Sequence, residues 1–166
     1  MKRINLITIL FLIGTTSFAQ ASLEKGRNQI NLGVGLSGWG IPVYLGFDHG
    51  TSQDITLGLE VSFRSFNENY NSNTYKHNII GFSGNGNYHF NRVLNLPRKF
   101  DFYAGLNVGF YSWSSPNDYN GSNTSRLGLG GQVGFRYFLS SKTGINLEFG
   151  GGNAFSGGKI GLTFKL

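Results

Sequence analysis

From Asn28 to Leu166 the chain alternates apolar and small polar residues with a period of two. A β-strand presents successive side chains to opposite faces in this way. The first segment sets Ile30, Leu32, Val34 and Leu36 against Asn31, Gly33, Gly35 and Ser37, and the second sets Ile41, Val43, Leu45 and Phe47 against Pro42, Tyr44, Gly46 and Asp48. The third opposes Ile55, Leu57, Leu59, Val61 and Phe63 to Thr56, Gly58, Glu60, Ser62 and Arg64. The fourth carries Ile80, Phe82, Tyr88 and Phe90, and the fifth Phe100, Phe102, Ala104, Leu106, Val108 and Phe110. Leu127 to Leu139, Ile145 to Phe149 and Ile160 to Leu166 continue the rule. Only Gly84, Gly86 and Gly131 interrupt the apolar face, and the pattern predicts no aliphatic side chain on the polar one. It predicts an all-β domain over 28–166, an eight-stranded antiparallel up-and-down barrel with strands of about 10 residues.

Alternation suits both a soluble barrel with an apolar cavity and a membrane barrel with an apolar exterior. The polar face is built from Gly, Asn, Ser and Thr with few charges, whereas a water-facing exterior is dense in Lys and Glu. The fifth segment is also graded, from Phe100 and Phe102 through Ala104, Leu106 and Val108 to Phe110. Aromatic belts flanking an aliphatic band are the signature of a strand that crosses a bilayer. The apolar face is therefore expected to meet lipid.

The connections fit that reading. With the amino terminus on the periplasmic side, the outer loops fall at Gly38–Gly40, Asn67–His77, Ser114–Ser125 and Gly150–Gly158. The inner ones fall at Gly50–Gln53, Asn91–Lys99 and Ser140–Lys142. Two of the outer loops are the longest in the chain, and an even strand count leaves both barrel termini periplasmic, as in bacterial outer-membrane barrels.

Composition sharpens the class. Charged residues make up 13% of the 166 positions, against about a quarter in soluble domains. Aromatics reach 15% and glycine occupies 26 positions, yet the segment after the leader has no apolar run of the ~20 residues that a spanning helix needs. The chain has no cysteine, which excludes disulfides, thiol nucleophiles and a lipidated cysteine. The formal charge of +6 is scattered, with no basic stripe interleaved with stacking aromatics, so no nucleic-acid partner is expected. Lys2 and Arg3, the apolar run Ile4–Ile13 and the small residues that follow form the n-, h- and c-regions of a secretory signal peptide. It is read as 1–19, with cleavage after Ala19 or alternatively after Ala21.

With these features the chain resembles the small outer-membrane β-barrel family of the OmpA/OmpX-like, eight-stranded type over essentially all of Asn28–Leu166. That family closes on an assembly signal of the form polar-x-Gly-x-x-apolar-x-aromatic. Lys159, Gly161 and Phe164 match it, and Leu166 stands where the terminal aromatic is usual. The resemblance implies a monomer in the cell outer membrane, in contact with its lipid and lipopolysaccharide. It also implies delivery by periplasmic chaperones to the barrel-insertion machinery.

The inward face carries eight charges: Asp48, Glu60, Arg64, Asp101, Arg136, Glu148, Lys159 and Lys165. Buried ions need partners. Strand order predicts Glu148 near Arg136 or Lys159, and Asp101 near Arg136. Two readings of this lumen follow: a structural salt-bridge plug, or a narrow porin-like path for solutes or ions. Enzymes that modify lipid A also occur on this kind of barrel. They need a His with a carboxylate or Ser at the outer rim, where His77, Ser114, Ser115 and Asp118 stand. Placed in Asn-rich loops, these residues are expected not to be preorganised, so the chain is read as non-enzymatic. No metal-ligand spacing occurs and no cofactor is expected. Asn120 and Asn123 begin glycosylation-type triplets of no consequence in a bacterium. Exposed Tyr70, Tyr75 and Tyr119 suit loop-mediated adhesion.

Overall fold

The computed structural model describes residues 22–121, 125–152 and 156–166. The signal-peptide region and Asn123 lie outside them. Eight antiparallel strands run β1 (Asn28–Ser37), β2 (Val43–Gly50), β3 (Ile55–Tyr70), β4 (Asn73–His89), β5 (Phe100–Ser114), β6 (Arg126–Phe138), β7 (Thr143–Gly152) and β8 (Ser156–Lys165). Each pairs with the next, and β8 returns to β1 in the register Gln29↔Lys165 to Ser37↔Gly157, closing the barrel. Around the apolar band closure leaves no unpaired sheet edge among the described strands, the condition for a sheet to sit in hydrocarbon.

The barrel is inside-out relative to a soluble domain. Leu59 and Leu106 are 69% and 74% exposed, whereas Asp48 and Arg136 are 3% and 2% exposed. The registers keep like faces together: Leu59 lies opposite Gly84, Val61 opposite Phe82, and Leu106 between Gly86 and Gly131. Near the end that carries both termini, aromatic rings pack side by side on the outer surface. Phe90 lies 5.6 Å from Phe102, and Phe100 lies 5.2 Å from Tyr137.

Several expectations are corrected. The segment Asn67–His77 is not a loop. β3 and β4 continue in register to Tyr70↔Asn73, and only Asn71 and Ser72 connect them. Both have positive φ, 47° and 66°, the sign a type I′ hairpin turn requires at both central positions. The expected loop Gly150–Gly158 is likewise largely strand, since β7 and β8 stay paired to Gly151↔Ser156. Strands accordingly range from 8 to 17 residues, the longer ones carrying paired polar extensions past the apolar band. The polar face also holds one aliphatic, fully buried Ile79, together with inward Phe138.

At the terminal end, segment Asn91–Lys99 is held by its own polar groups. Asn91 donates through Nδ2 to the Phe100 carbonyl at 2.6 Å and accepts from the Phe102 amide at 3.2 Å. Arg92 pairs with Asp54. Ser22 and Leu23, each 2% exposed, tuck into the same end of the barrel.

Candidate functional site

The lumen is filled by two layers of charge. In the layer nearer the termini, Arg136 of β6 donates from one amino nitrogen to Asp101 of β5 at 3.1 Å and from the other to Asp48 of β2 at 3.0 Å. Its guanidinium also lies 4.3 Å from the centre of the Tyr103 ring. The two carboxylates around this cation are tied down in turn. Asp48 accepts from Gln29 at 2.8 Å and Asn31 at 2.9 Å, and Asp101 bonds His89, whose far nitrogen meets the Thr56 hydroxyl at 3.0 Å. Such satisfaction is what makes a buried ion tolerable, because one left alone costs several kcal/mol.

In the second layer, Lys159 of β8 lies 2.7 Å from both Glu60 of β3 and Glu148 of β7. Tyr103 links the layers by donating to Glu148 at 2.8 Å. Glu148 thus takes Lys159 and Tyr103 as partners; Asp101 and Asp48 take Arg136. The space left is small. A cavity of about 30 Å³ borders Tyr111, Asn107 and Gln132 on one side of the Lys159 layer, and one of about 20 Å³ borders Tyr44, Asp48 and Arg136 on the other. A water needs roughly 10–15 Å³ measured this way, so both have room for ordered water.

The remaining inward cations stand at the two ends. Arg64 donates to Ser37 at 3.1 Å, beneath an aromatic roof at the hairpin end. There Trp39, Tyr111 and Trp113 pack edge to face, with ring centres 6.4 and 5.1 Å from Trp39, and Arg126 covers Trp39 at 4.9 Å. Lys165 lies over the Phe138 ring at 4.2 Å and reaches the Ser22 carbonyl at 3.5 Å at the other end.

Comparison with known proteins agrees with this geometry. The family described as outer membrane protein beta-barrel domain matches residues 7–165. The chain belongs to that family. Among solved structures, the outer membrane protein OprG of Pseudomonas aeruginosa superposes with a TM-score of 0.69 at 13% identity, covering 89% of this chain and 99% of OprG. The N-terminal β-barrel domain of Pseudomonas aeruginosa OprF gives 0.61 at 10% identity, covering 87% and 100%. Neisserial surface protein A gives 0.57 at 11%, covering 84% and 95%. These likenesses concern the fold. No curated protein matches the sequence.

In this outer-membrane barrel the four residues of the assembly-type ending also have places in the folded wall. Lys159 anchors the second charge layer. A Cβ at Gly161 would meet the Leu32 carbonyl and stand 2.5 Å from the Tyr44 hydroxyl, which is bonded to Asn146. Phe164 faces outward between Ile30 and Thr143, and Leu166 donates its amide to the Asn28 carbonyl at 2.9 Å.

Sequence reasoning missed the organisation at the hairpin end. His77 belongs to β4, not to a loop, and is completely buried. Its Nδ1 is 2.9 Å from the Ser115 hydroxyl, and its Nε2 is 3.3 Å from a carboxylate oxygen of Glu68. Tyr119 donates to that same oxygen at 2.8 Å and stacks edge-on over His77 at 4.6 Å, so Tyr75 and Tyr119 are half-buried packing residues and not free adhesive ones. The available signal was the alternation itself. Phe66, Glu68, Tyr75 and His77 keep the inward parity of β3 and β4 beyond the apolar band. Ser114 is exposed and turned away from this cluster, and Asp118 is exposed as well.

Proposed function

We propose that this family member is a non-conducting structural barrel that displays the β3–β4 hairpin and the segment 115–121 at the cell surface, with both termini in the periplasm. The carrying observation is the two-layer ion network. Arg136 and Lys159 bridge facing strands at successive heights, with small cavities on either side of the Lys159 layer. The aromatic roof adds a third barrier. On this reading a hydrated ion would have to shed its water to pass these layers, which is costly in a low-dielectric wall. The paired extension of β3 and β4 is a rigid surface feature, as suits an interaction role. The surface-protein name of the Neisserial relative accords with it.

Recording planar-bilayer currents from the purified folded protein tests the closed lumen. No resolved steps are expected from the wild type, and steady single-channel openings would overturn the reading in favour of a narrow channel. Orientation is tested through a single cysteine, S72C, in this cysteine-free chain. A membrane-impermeant maleimide should label it on intact cells; labelling only after lysis would reverse the orientation.

A further inference from the structure

We propose that the end of the barrel carrying the termini holds a binding site for one anionic phospholipid. Its phosphate lies among Arg27, Lys142 and Lys165, and its acyl chains follow the outer wall of β7 and β8. A cavity of about 230 Å³ opens there between three separate pieces of chain. Leu23, Glu24 and Arg27 line it from the segment before β1, Ser141 and Lys142 from the β6–β7 turn, and Lys165 and Leu166 from the end of β8.

Hydrogen bonds fix all three pieces. The Arg27 amide closes a turn onto the Glu24 carbonyl at 3.0 Å. Gly26 donates its amide to the Gly50 carbonyl at 2.7 Å, and the Gly50 amide donates to the Arg27 carbonyl at 2.9 Å. In the β6–β7 turn the Ser140 hydroxyl accepts from the amides of Lys142 and Thr143 at 3.2 and 3.0 Å. The Lys142 carbonyl takes the Lys165 amide at 2.8 Å, which joins that turn to β8. The three cations therefore spring from a fixed backbone, which lowers the ordering cost of binding.

Charge and continuity with the wall select the ligand. Three bases face one acidic side chain, Glu24. Among the described residues neither the Arg27 guanidinium nor the Lys142 ammonium has an ion-pair partner, and both residues are exposed. A guanidinium fork beside two ammonium point charges is a donor set that suits a phosphate diester. The apolar part of the ligand has a track as well. Leu139, next to the turn, and Leu166 are exposed, and Phe164, Ile145 and Leu162 carry the outward face on toward the aliphatic band, with Thr143 opposite Phe164 and Ile145 opposite Leu162. The basic basin is thus continuous with the lipid-facing wall. That the leaflet beside it is phospholipid rests on the periplasmic placement of the termini proposed above.

Native mass spectrometry of the folded protein in neutral-detergent micelles, offered equal amounts of dioleoylphosphatidylglycerol and dioleoylphosphatidylcholine, tests the site. The two lipids share their tails and differ in net charge. One phosphatidylglycerol should be retained with about tenfold preference, the scale expected when two or three bases each add to the attraction. R27Q/K142Q should reduce that preference below about twofold, and R27K/K142R should keep most of it. K76Q, at the hairpin end, should match the wild type. Should the double variant fail to fold, R27Q alone decides, with a preference lowered about threefold. Equal retention of the two lipids by the wild type, or an unchanged preference in R27Q/K142Q, overturns the proposal. So does release of the bound lipid by an equal concentration of inorganic phosphate, which would make the ligand a free anion. Binding in micelles does not depend on orientation, so a reversed S72C labelling pattern would leave the site in place and change only the leaflet it meets.

Discussion

The guanidinium of Arg136 on β6 reaches the carboxylate of Asp48 on β2 at 3.0 Å, between strands separated by three others in either direction around the closed wall. One side chain therefore spans the full lumen and ties opposite sides of the barrel together. The link works because Asp101 takes the second amino group and the Tyr103 ring covers the cation's face, so the charge has a partner on each flank.

Removing that cation should be the most damaging single change in the lumen. Arg136→Ala strands two buried carboxylates, and loss of one partner of a buried ion pair typically costs ~3–5 kcal/mol. Urea unfolding in lipid vesicles, followed by tryptophan fluorescence, should show a lowered midpoint. The triple variant R136M/D48N/D101N, which removes the charges together, should recover part of the loss. A single variant within ~0.5 kcal/mol of wild type would show that Arg136 is not the anchor.

Arginine on the opposite face probes the bilayer. Leu106, the more exposed of the two leucines probed and flanked by Gly86 and Gly131, lies in the aliphatic middle of β5. Leu106→Arg and Leu59→Arg should each destabilise the membrane-folded state by ~2–4 kcal/mol, the cost of arginine near the midplane. The same vesicle titration reads this out, and an unchanged midpoint for both would contradict the lipid-facing assignment.

Packing inside the narrow wall leaves little tolerance at Gly134, where an added Cβ would fall within the Tyr103 ring. Gly134→Ala should displace that ring from Glu148 and from the Arg136 face, at a cost of ~1–3 kcal/mol for overpacking. Equal stability of this variant and wild type in urea would mean that Tyr103 has an alternative position.

The hairpin tip should move the other way. Ser72 holds φ 66°, a conformation glycine adopts with less strain than serine. Ser72→Gly should tighten the β3–β4 tip, with an effect below ~1 kcal/mol because glycine also gains freedom in the unfolded chain. Slower amide exchange at Tyr70 and Asn73 would register it, and faster exchange would refute it.

The alternation of side chains determined by itself that the chain forms strands and how many, and the small, weakly charged polar face together with the aromatic grading of β5 determined which face meets lipid. Period-two patterning is a local property, and a one-residue slip would turn every leucine inward. Leu59 and Glu60 already point to opposite faces on the strength of their neighbours alone. Partner choice in the lumen was only partly legible. Strand order brings Asp101 near Arg136, but whether Glu148 takes Arg136 or Lys159 depends on shear and height, which no local pattern encodes. Tertiary pairing alone decided the rest: Asp48 meeting Arg136 across the axis, and Glu68, His77 and Ser115 converging beyond the apolar band. Past Phe63 the outward residues become polar, so the contrast that marks a strand fades, and hydrogen bonding to β4 together with the inward packing of Phe66 against His77 and Trp113 keeps β3 extended to Tyr70.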